Sequence, residues 1–311
     1  MSITVGFDTS NYTTSAALLD TSDMSVRNVK RLLPVKDGER GLRQSDAVFL
    51  HTKALPEIME EAFEGINRVD ACGCSCAPRL VQGSYMPCFL VGMNAAAAFS
   101  HGAGCELFMT SHQIGHILAA LFSCGRLDLI KGDKPFAAFH VSGGTTDLLL
   151  CTPDKEHNAR IERIGGSSDL NAGQAIDRCG VRLGLSFPCG AELERLAEQS
   201  HAQFDIRPVV KGLYCSLSGI ENKCMKLMTS GYDKCDVAKF CIDSVCASVE
   251  ALTKALLEKY KDIEIIYAGG VMSNRSIKAK LSQYGSFASP ELSSDNAVGT
   301  AVYAALRKGL I

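Results

Sequence analysis

Two histidines four residues apart are the strongest chemical signal in this chain. In SHQIGHILAAL, His112 and His116 fall on one face of a predicted helix, so their imidazoles point the same way and can share a zinc or iron ion. A pair needs at least one further ligand, and Asp295 in SSDNAVG offers a carboxylate. Two imidazoles and one hard oxygen leave coordination positions for substrate oxygens. The competing reading is structural: a histidine pair on a helix face, with Ser294 or Asp295 only capping the last helix. The familiar metallopeptidase version of such a pair carries a glutamate directly after the first histidine as general base. Gln113 stands there and cannot take a proton, so the zincin reading fails on chemistry.

A second set of residues suits a nucleotide. The chain has no GxxxxGK[ST] and no GxGxxG, which leaves P-loop and Rossmann readings without support. Instead, glycine-bearing turns follow apolar runs. Ser142-Gly143-Gly144-Thr145-Thr146 offers backbone N–H groups and hydroxyls to phosphate oxygens. Gly269-Gly270, with Asn274 just beyond, would let a flat adenosine lie against backbone. Asp177, on the predicted helix NAGQAIDRCGVRLG, either receives ribose hydroxyls or pairs with a neighbouring arginine. Each by itself is a weak signal, because a glycine turn after a strand is more often just a turn.

These residues need a scaffold of two halves. Setting Thr13-Thr14 against Thr145-Thr146 aligns the strands on either side, ITVGFD…TTSAALLD with PFAAFHV…TTDLLLCT, and indicates an internal duplication. Helices are expected over 43–66, 89–100, from Ser111 as N-cap, and over 171–184, 191–199, 235–260, 273–283 and 295–308. Strands are expected at 68–76, 105–110 and 263–270. Strands alternating with helices predict mixed sheets covered by helices, an α/β fold of the duplicated actin/sugar-kinase kind with a nucleotide–metal cleft between two lobes. The expected lobes are 1–125, to which a last helix over 293–311 returns, and 126–292.

At 311 residues, with 46% hydrophobic and 21% charged residues, the chain has the composition of a globular protein long enough for two cores. A net charge of −2 gives no global footprint for nucleic acid. RNA would have to meet local basic residues such as Lys211, Lys223, Lys226, Arg275, Lys278 and Lys280, which read equally as solvated helix faces. No run approaches the ~20 apolar residues of a membrane span, and the opening residues show no leader pattern, so a cytoplasmic location is expected. The fourteen cysteines sit in apolar segments and read as reduced, mostly buried thiols. Alternating Cys72, Cys74 and Cys76 lie on a strand; lining of a buried strand is favoured over a soft-metal site.

Taken together and in order, FDTSNYTTS, SHQIGH, VSGGTT, AGQAIDR, LGLSFPCG, SLSGIENK, AGGVMSNR and SSDNAVG resemble the TsaD family over nearly the whole chain. The resemblance implies tRNA threonylcarbamoyladenosine synthesis: transfer of a threonylcarbamoyl group from its adenylate to the exocyclic amine of an adenosine beside the anticodon. It implies metal ligands His112, His116 and Asp295, and nucleotide contacts at Ser142, Gly143, Gly144, Asp177, Gly190 and Asn274. It also implies a TsaB-like paralogue and a small ATPase as partners, and tRNA or another acceptor.

Two departures stand out. The family's first turn usually reads close to TSCDET, whose two acids are candidates for positioning or deprotonating the amine. Here Ser10, Asn11, Tyr12 and Thr13 occupy that turn, and at neutral pH neither an amide nor a hydroxyl removes a proton. The family's short GPG turn is replaced by a longer segment, 77–87, carrying Arg79 and Tyr85. The expected function is therefore threonylcarbamoyl transfer or a related carbamoyl or acyl-adenylate transfer by a divergent paralogue. The alternative is a nucleotide-binding partner or sensor that has lost the chemistry.

Overall fold

Strand β1 (Ile3–Asp8) is buried at every position and organises the first sheet. It pairs antiparallel with β2 (Thr13–Asp20) and parallel with β4 (Ala71–Ala77). With β3 (Ser25–Leu32) and β5 (Glu106–Ser111) the order is β3-β2-β1-β4-β5. The computed structural model describes residues 2–10, 12–34 and 42–311. Helices α1 (Gln44–Ala62), α2 (Phe89–Ala103), α3 (His112–Ser123) and α4 (Asp128–Lys131) belong with this sheet, as does the last helix, α10 (Val298–Lys308). Phe7, Phe63 and Phe99 meet in its core with ring centroids 5.2–5.8 Å apart.

The second sheet contains β6 (Phe136–Val141), β7 (Thr146–Asp154), β8 (Asn158–Ser167), β9 (Val209–Lys211), β10 (Tyr214–Ser216), β11 (Ile265–Ala268) and β12 (Ser286–Phe287). Its order is β12-β11-β6-β7-β8-β10-β9. Helices α5 (Ala172–Arg182), α6 (Gly190–Ala197), α7 (Gly219–Thr229), α8 (Lys234–Lys259) and α9 (Arg275–Leu281) go with it. Tyr267 is fully buried between Phe139 and Phe287, and its hydroxyl meets Thr253 Oγ1 at 2.9 Å. Contacts gather into two units. One runs to Gly132 and adds Pro153–Arg160 and Glu291–Ile311; the other holds Asp133–Thr152 and Ile161–Pro290.

The duplication read from the hairpins is present in the topology. The first sheet's order recurs within the second as β8-β7-β6-β11-β12. The hairpin register Thr4↔Leu19 through Asp8↔Ser15 returns as Phe136↔Cys151 through His140↔Asp147, a constant offset of 132 residues. That is the offset which sets Thr13-Thr14 on Thr145-Thr146.

Several elements differ from expectation. The last helix begins at Val298, not 295, and the 263–270 strand is confined to Ile265–Ala268. The 273–283 helix is a 3₁₀ turn, Gly270–Ser273, followed by α9. Strand β3 and helix α7 carry no strong sequence pattern because they bury little: β3 has no fully buried residue, and α7 buries just Ile220 and Cys224. Cys72 and Cys74 are packed in the first core, and all fourteen cysteines are free thiols. Among the described residues no helix is long and apolar enough to cross a membrane.

Candidate functional site

Helix α3 starts where the sequence says it should. Ser111 Oγ accepts from the Ile114 N–H at 3.2 Å, a hydroxyl N-cap, and His112 is the first helical residue with His116 one turn on. The opposite face buries Ile114, Ile117, Leu118 and Leu121, which fixes the helix's rotation. Asp295 is brought to this face by α10, which lies directly on backbone. A Cβ at Gly6 would stand 2.3 Å from Ala297 O, and one at its sheet neighbour Gly73 would stand 2.0 Å from Thr300 O. Where α10 crosses α3, a Cβ on Gly299 would fall 1.8 Å from Gly115 O. Asp295 itself does not cap α10. The N-cap position is Ala297, with no side-chain cap, and Asn296 Oδ1 accepts from the Val298 N–H at 2.9 Å just ahead of it, so the capping alternative for Ser294 and Asp295 falls away.

Three acceptor atoms therefore converge. His116 Nε2 is 2.9 Å from His112 Nε2 and 3.1 Å from Asp295 Oδ1, and His112 Nε2 is 3.5 Å from the same oxygen. Ligand atoms around one metal at bonds of about 2.1 Å stand roughly 3.0–3.4 Å apart, so the spacing fits a shared ion. Behind His112 lies a carboxylate that sequence reading missed. Asp8, 1% exposed, accepts from His112 Nδ1 at 2.8 Å, from the Ser10 N–H at 2.8 Å and from the Ser75 hydroxyl. A carboxylate on Nδ1 fixes the tautomer and turns Nε2 outward as a ligand. The available signal was one acid ending an otherwise apolar strand, ITVGFD.

The electrostatics agree with a cation site. Burial disfavours charge on His112, but Asp8 and Asp295 more than offset it and hold the imidazole up to about 10. Burial also opposes ionisation of Asp8, yet the His112 charge and the three hydrogen bonds keep it below the ordinary carboxylate value. Asp295 is buried too and is nonetheless held well below that value by His112 and His116. Two carboxylates flanking two imidazoles favour one positive charge among them, whether proton or metal.

The first turn presents less than its hydroxyl-rich sequence suggests. Ser10 and Thr13 are buried, and Thr9 Oγ1 is spent on Cys88 O and the Gly92 N–H. Tyr12 is 38% exposed. Asn11 lies outside the described residues. The 77–87 segment starts at the histidine helix, with the Gln113 N–H donating to Pro78 O at 3.1 Å, and carries exposed Leu80, Val81 and Tyr85.

The second unit contains a cavity of about 350 Å³, the size of a small-ligand site. Of the predicted nucleotide residues, Gly143, Asp177, Gly190, Gly270 and Asn274 line it; Ser142, Gly144 and Gly269 do not. Gly269 serves packing instead: at φ +100° it presses on β6, where a Cβ would come 2.3 Å from Val141 O. A Cβ on Gly270 meets nothing within 4 Å. Asp177 Oδ1 accepts from the Cys189 N–H at 2.8 Å, which ties α5 to the start of α6, and the arginine alternative is not seen, since Arg178 and Arg182 both turn to Glu221. Asn274 caps α9 through the Ile277 N–H as well as facing the cavity. Ile176, Pro188 and Glu194 also line it, and the sequence reading passed over them. Two of the basic residues considered for RNA are held in ion pairs, Arg275 with Glu194 and Glu198 and Lys280 with Glu250.

Duplicated sheets of this order, each covered by helices, define an α/β protein of the actin/sugar-kinase (ASKHA) fold class. Solved structures agree on the fold. Component A of the Acidaminococcus fermentans (R)-2-hydroxyglutaryl-CoA dehydratase matches with a TM-score of 0.55 at 15% identity, over 99% of this chain and 100% of that one. Full-length HypF gives 0.56 at 12% identity, over 97% and 55%. A ROK family glucokinase from Streptomyces griseus, solved with glucose and AMPPNP, gives 0.51 at 13%, over 98% of each. The family model for tRNA N6-adenosine threonylcarbamoyltransferase, TsaD, matches residues 44–302. A Streptococcus pneumoniae tRNA N6-adenosine threonylcarbamoyltransferase is 30% identical over 89% of this chain and 82% of its own length. A probable bifunctional tRNA threonylcarbamoyladenosine biosynthesis protein of Thermoplasma acidophilum is 28% identical over 89% of this chain and 49% of its own. The chain belongs to the TsaD family.

Proposed function

We propose that this protein is a metal-dependent, nucleotide-binding transferase that passes a threonylcarbamoyl group, or a related carbamoyl or acyl group, from an adenylate to an amine. The observation that carries this reading is the convergence of His112, His116 and Asp295 with Asp8 behind them. These three residues would hold a zinc or iron ion, which would supply Lewis-acid polarisation of phosphate and carbonyl oxygens. Asp8 holds the His112 Nδ1 proton and so keeps Nε2 available. In the second unit, Gly143 and Gly270 leave space for an adenine nucleotide or acyl-adenylate, with Asp177 and Asn274 as polar contacts. Nucleotide-bound forms among the fold neighbours motivate that choice of ligand.

The acceptor side differs from the family's pattern. Ser10 and Thr13 are turned into the protein, and Asp8, held ionised by His112, is a weak base. We therefore expect slow threonylcarbamoyl transfer to standard tRNA, lower by about two to four orders of magnitude than in a relative with both first-turn acids. The acceptor instead meets the 77–87 segment, whose exposed Leu80, Val81 and Tyr85 suit an apolar or aromatic surface. A TsaB-like paralogue and a small ATPase are the partners to supply, in a cytoplasmic setting. The second reading, a nucleotide-binding partner or sensor, draws on the same closed turn. Reconstitution with threonylcarbamoyl-adenylate and unmodified tRNA, with and without those partners, read by nucleoside mass spectrometry, separates them. Slow turnover that depends on His112 supports the transferase. Turnover equal to an acid-containing relative removes the acceptor argument, and no turnover on any acceptor with nucleotide binding intact favours the sensor.

A further inference from the structure

Three helices of the second unit each place one thiol at a common point in its core. Cys179 comes from α5, Cys224 from α7 and Cys241 from α8, and their sulfurs lie within 4.8 Å of one another. All three are 1% exposed or less. None belongs to the nucleotide cavity or to the histidine site. A buried cysteine is ordinarily a small apolar residue, and Cys72 or Cys151 fits that description. Convergence of three, one from each of three separate helices, is different, because a ligand-sized grouping results without any local sequence spacing. Sulfurs bonded to one metal at about 2.3 Å stand roughly 4 Å apart in a trigonal arrangement, within the spread seen here.

We propose that Cys179, Cys224 and Cys241 form a three-sulfur site for monovalent copper. The ligand set is wholly soft, with no imidazole or carboxylate in the group, and soft thiolates select Cu(I) over hard cations. Structural zinc is almost always four-coordinate, whereas this group offers three ligands at a place where burial denies water as the fourth. Binding exchanges protons for the ion and involves no redox step. Entry uses α7, of whose eleven residues just Ile220 and Cys224 are buried, so it opens more readily than the helices around it.

The test is anaerobic titration of the reduced full-length protein with Cu(I) against a competing chelator, followed by X-ray absorption. To remove the imidazole site, the protein carries His112→Ala and His116→Ala. One copper per chain with three sulfurs at about 2.3 Å is expected. Cys179→Ala, Cys224→Ala and Cys241→Ala should each lose that equivalent, and Cys72→Ala, equally buried, should keep it. If the triad variants fail to fold, thermal unfolding of the unaltered triad decides. A site formed by the folded chain raises Tm with one equivalent of copper, while scattered binding to unfolded thiols lowers it. Copper retained after loss of Cys224 in a folded variant, a lowered Tm, or one zinc held by these sulfurs with copper refused would each overturn the proposal.

Discussion

The two hairpins share one backbone register 132 residues apart, and they use it for opposite ends. In the first, Asp8, Thr9, Ser10 and Thr13 are all buried; Asp8 is spent on His112, Ser75 and the Ser10 N–H, Thr9 Oγ1 on Cys88 and Gly92, and Ser10 Oγ is buried without a hydrogen-bond partner. In the second, Gly143 and Gly144 are exposed, and Gly143 faces a cavity. The turn sits there on α5, whose Gly173 approaches Gly143 so closely that a Cβ would clash at 2.5 Å. One copy of the hairpin supports the His112–His116–Asp295 cluster through Asp8, and the other rims the cavity of the second unit. The lesson is that a duplicated scaffold conserves strand register, while the side chains at each turn decide whether its backbone groups are satisfied internally or left for a ligand.

If the two regions are independent devices, they can be disabled separately. The largest effect is expected from His112→Ala with His116→Ala, which should abolish stoichiometric zinc or iron in the purified protein while adenine nucleotide affinity stays within about twofold. Metal analysis and calorimetry check this, and unchanged metal content would break the division of labour. Next comes Asp8→Asn, which keeps size but loses the charge behind His112. Metal affinity should fall about 10–100-fold, as for other carboxylate–histidine supports, with the fold retained by circular dichroism.

A smaller effect is expected on the other side. Gly270→Val places its side chain in open space beside the cavity, so nucleotide affinity should drop about tenfold, or ~1.4 kcal/mol, without loss of metal. Equal ATP or ADP affinity in calorimetry would refute the placement of the nucleotide.

The smallest and most diagnostic effect is a pair of opposed pH slopes. His112 is raised from 6.5 to about 10, so its ion pairs stabilise the metal-free fold fully below pH about 6.5. That contribution is lost as pH rises towards 10. A metal must displace the same proton, so metal affinity should rise over the window in which metal-free stability declines. Parallel slopes in thermal unfolding and metal titration would show that His112 is not a shared ligand.

What the sequence determined was whatever depends on local spacing or on repetition. The i, i+4 histidines, the Ser111 cap, the glycine turn after β6 and the 132-residue repeat are all written in neighbouring residues, and helical or strand periodicity turns them directly into geometry. Tertiary structure decided the rest, because it depends on contacts between residues far apart in the chain. Asp8 lies 104 residues from His112, and nothing in ITVGFD marks it as that histidine's support. Asp295 reaches the site because Gly6, Gly73 and Gly299 let α10 lie on bare backbone, a packing fact without a periodic signature. Gly269 and Gly270 are adjacent and alike in sequence, yet one is pinned against Val141 and the other opens towards the cavity. The three core thiols come from three helices spread over more than sixty residues, and only the crossing of those helices brings the sulfurs together.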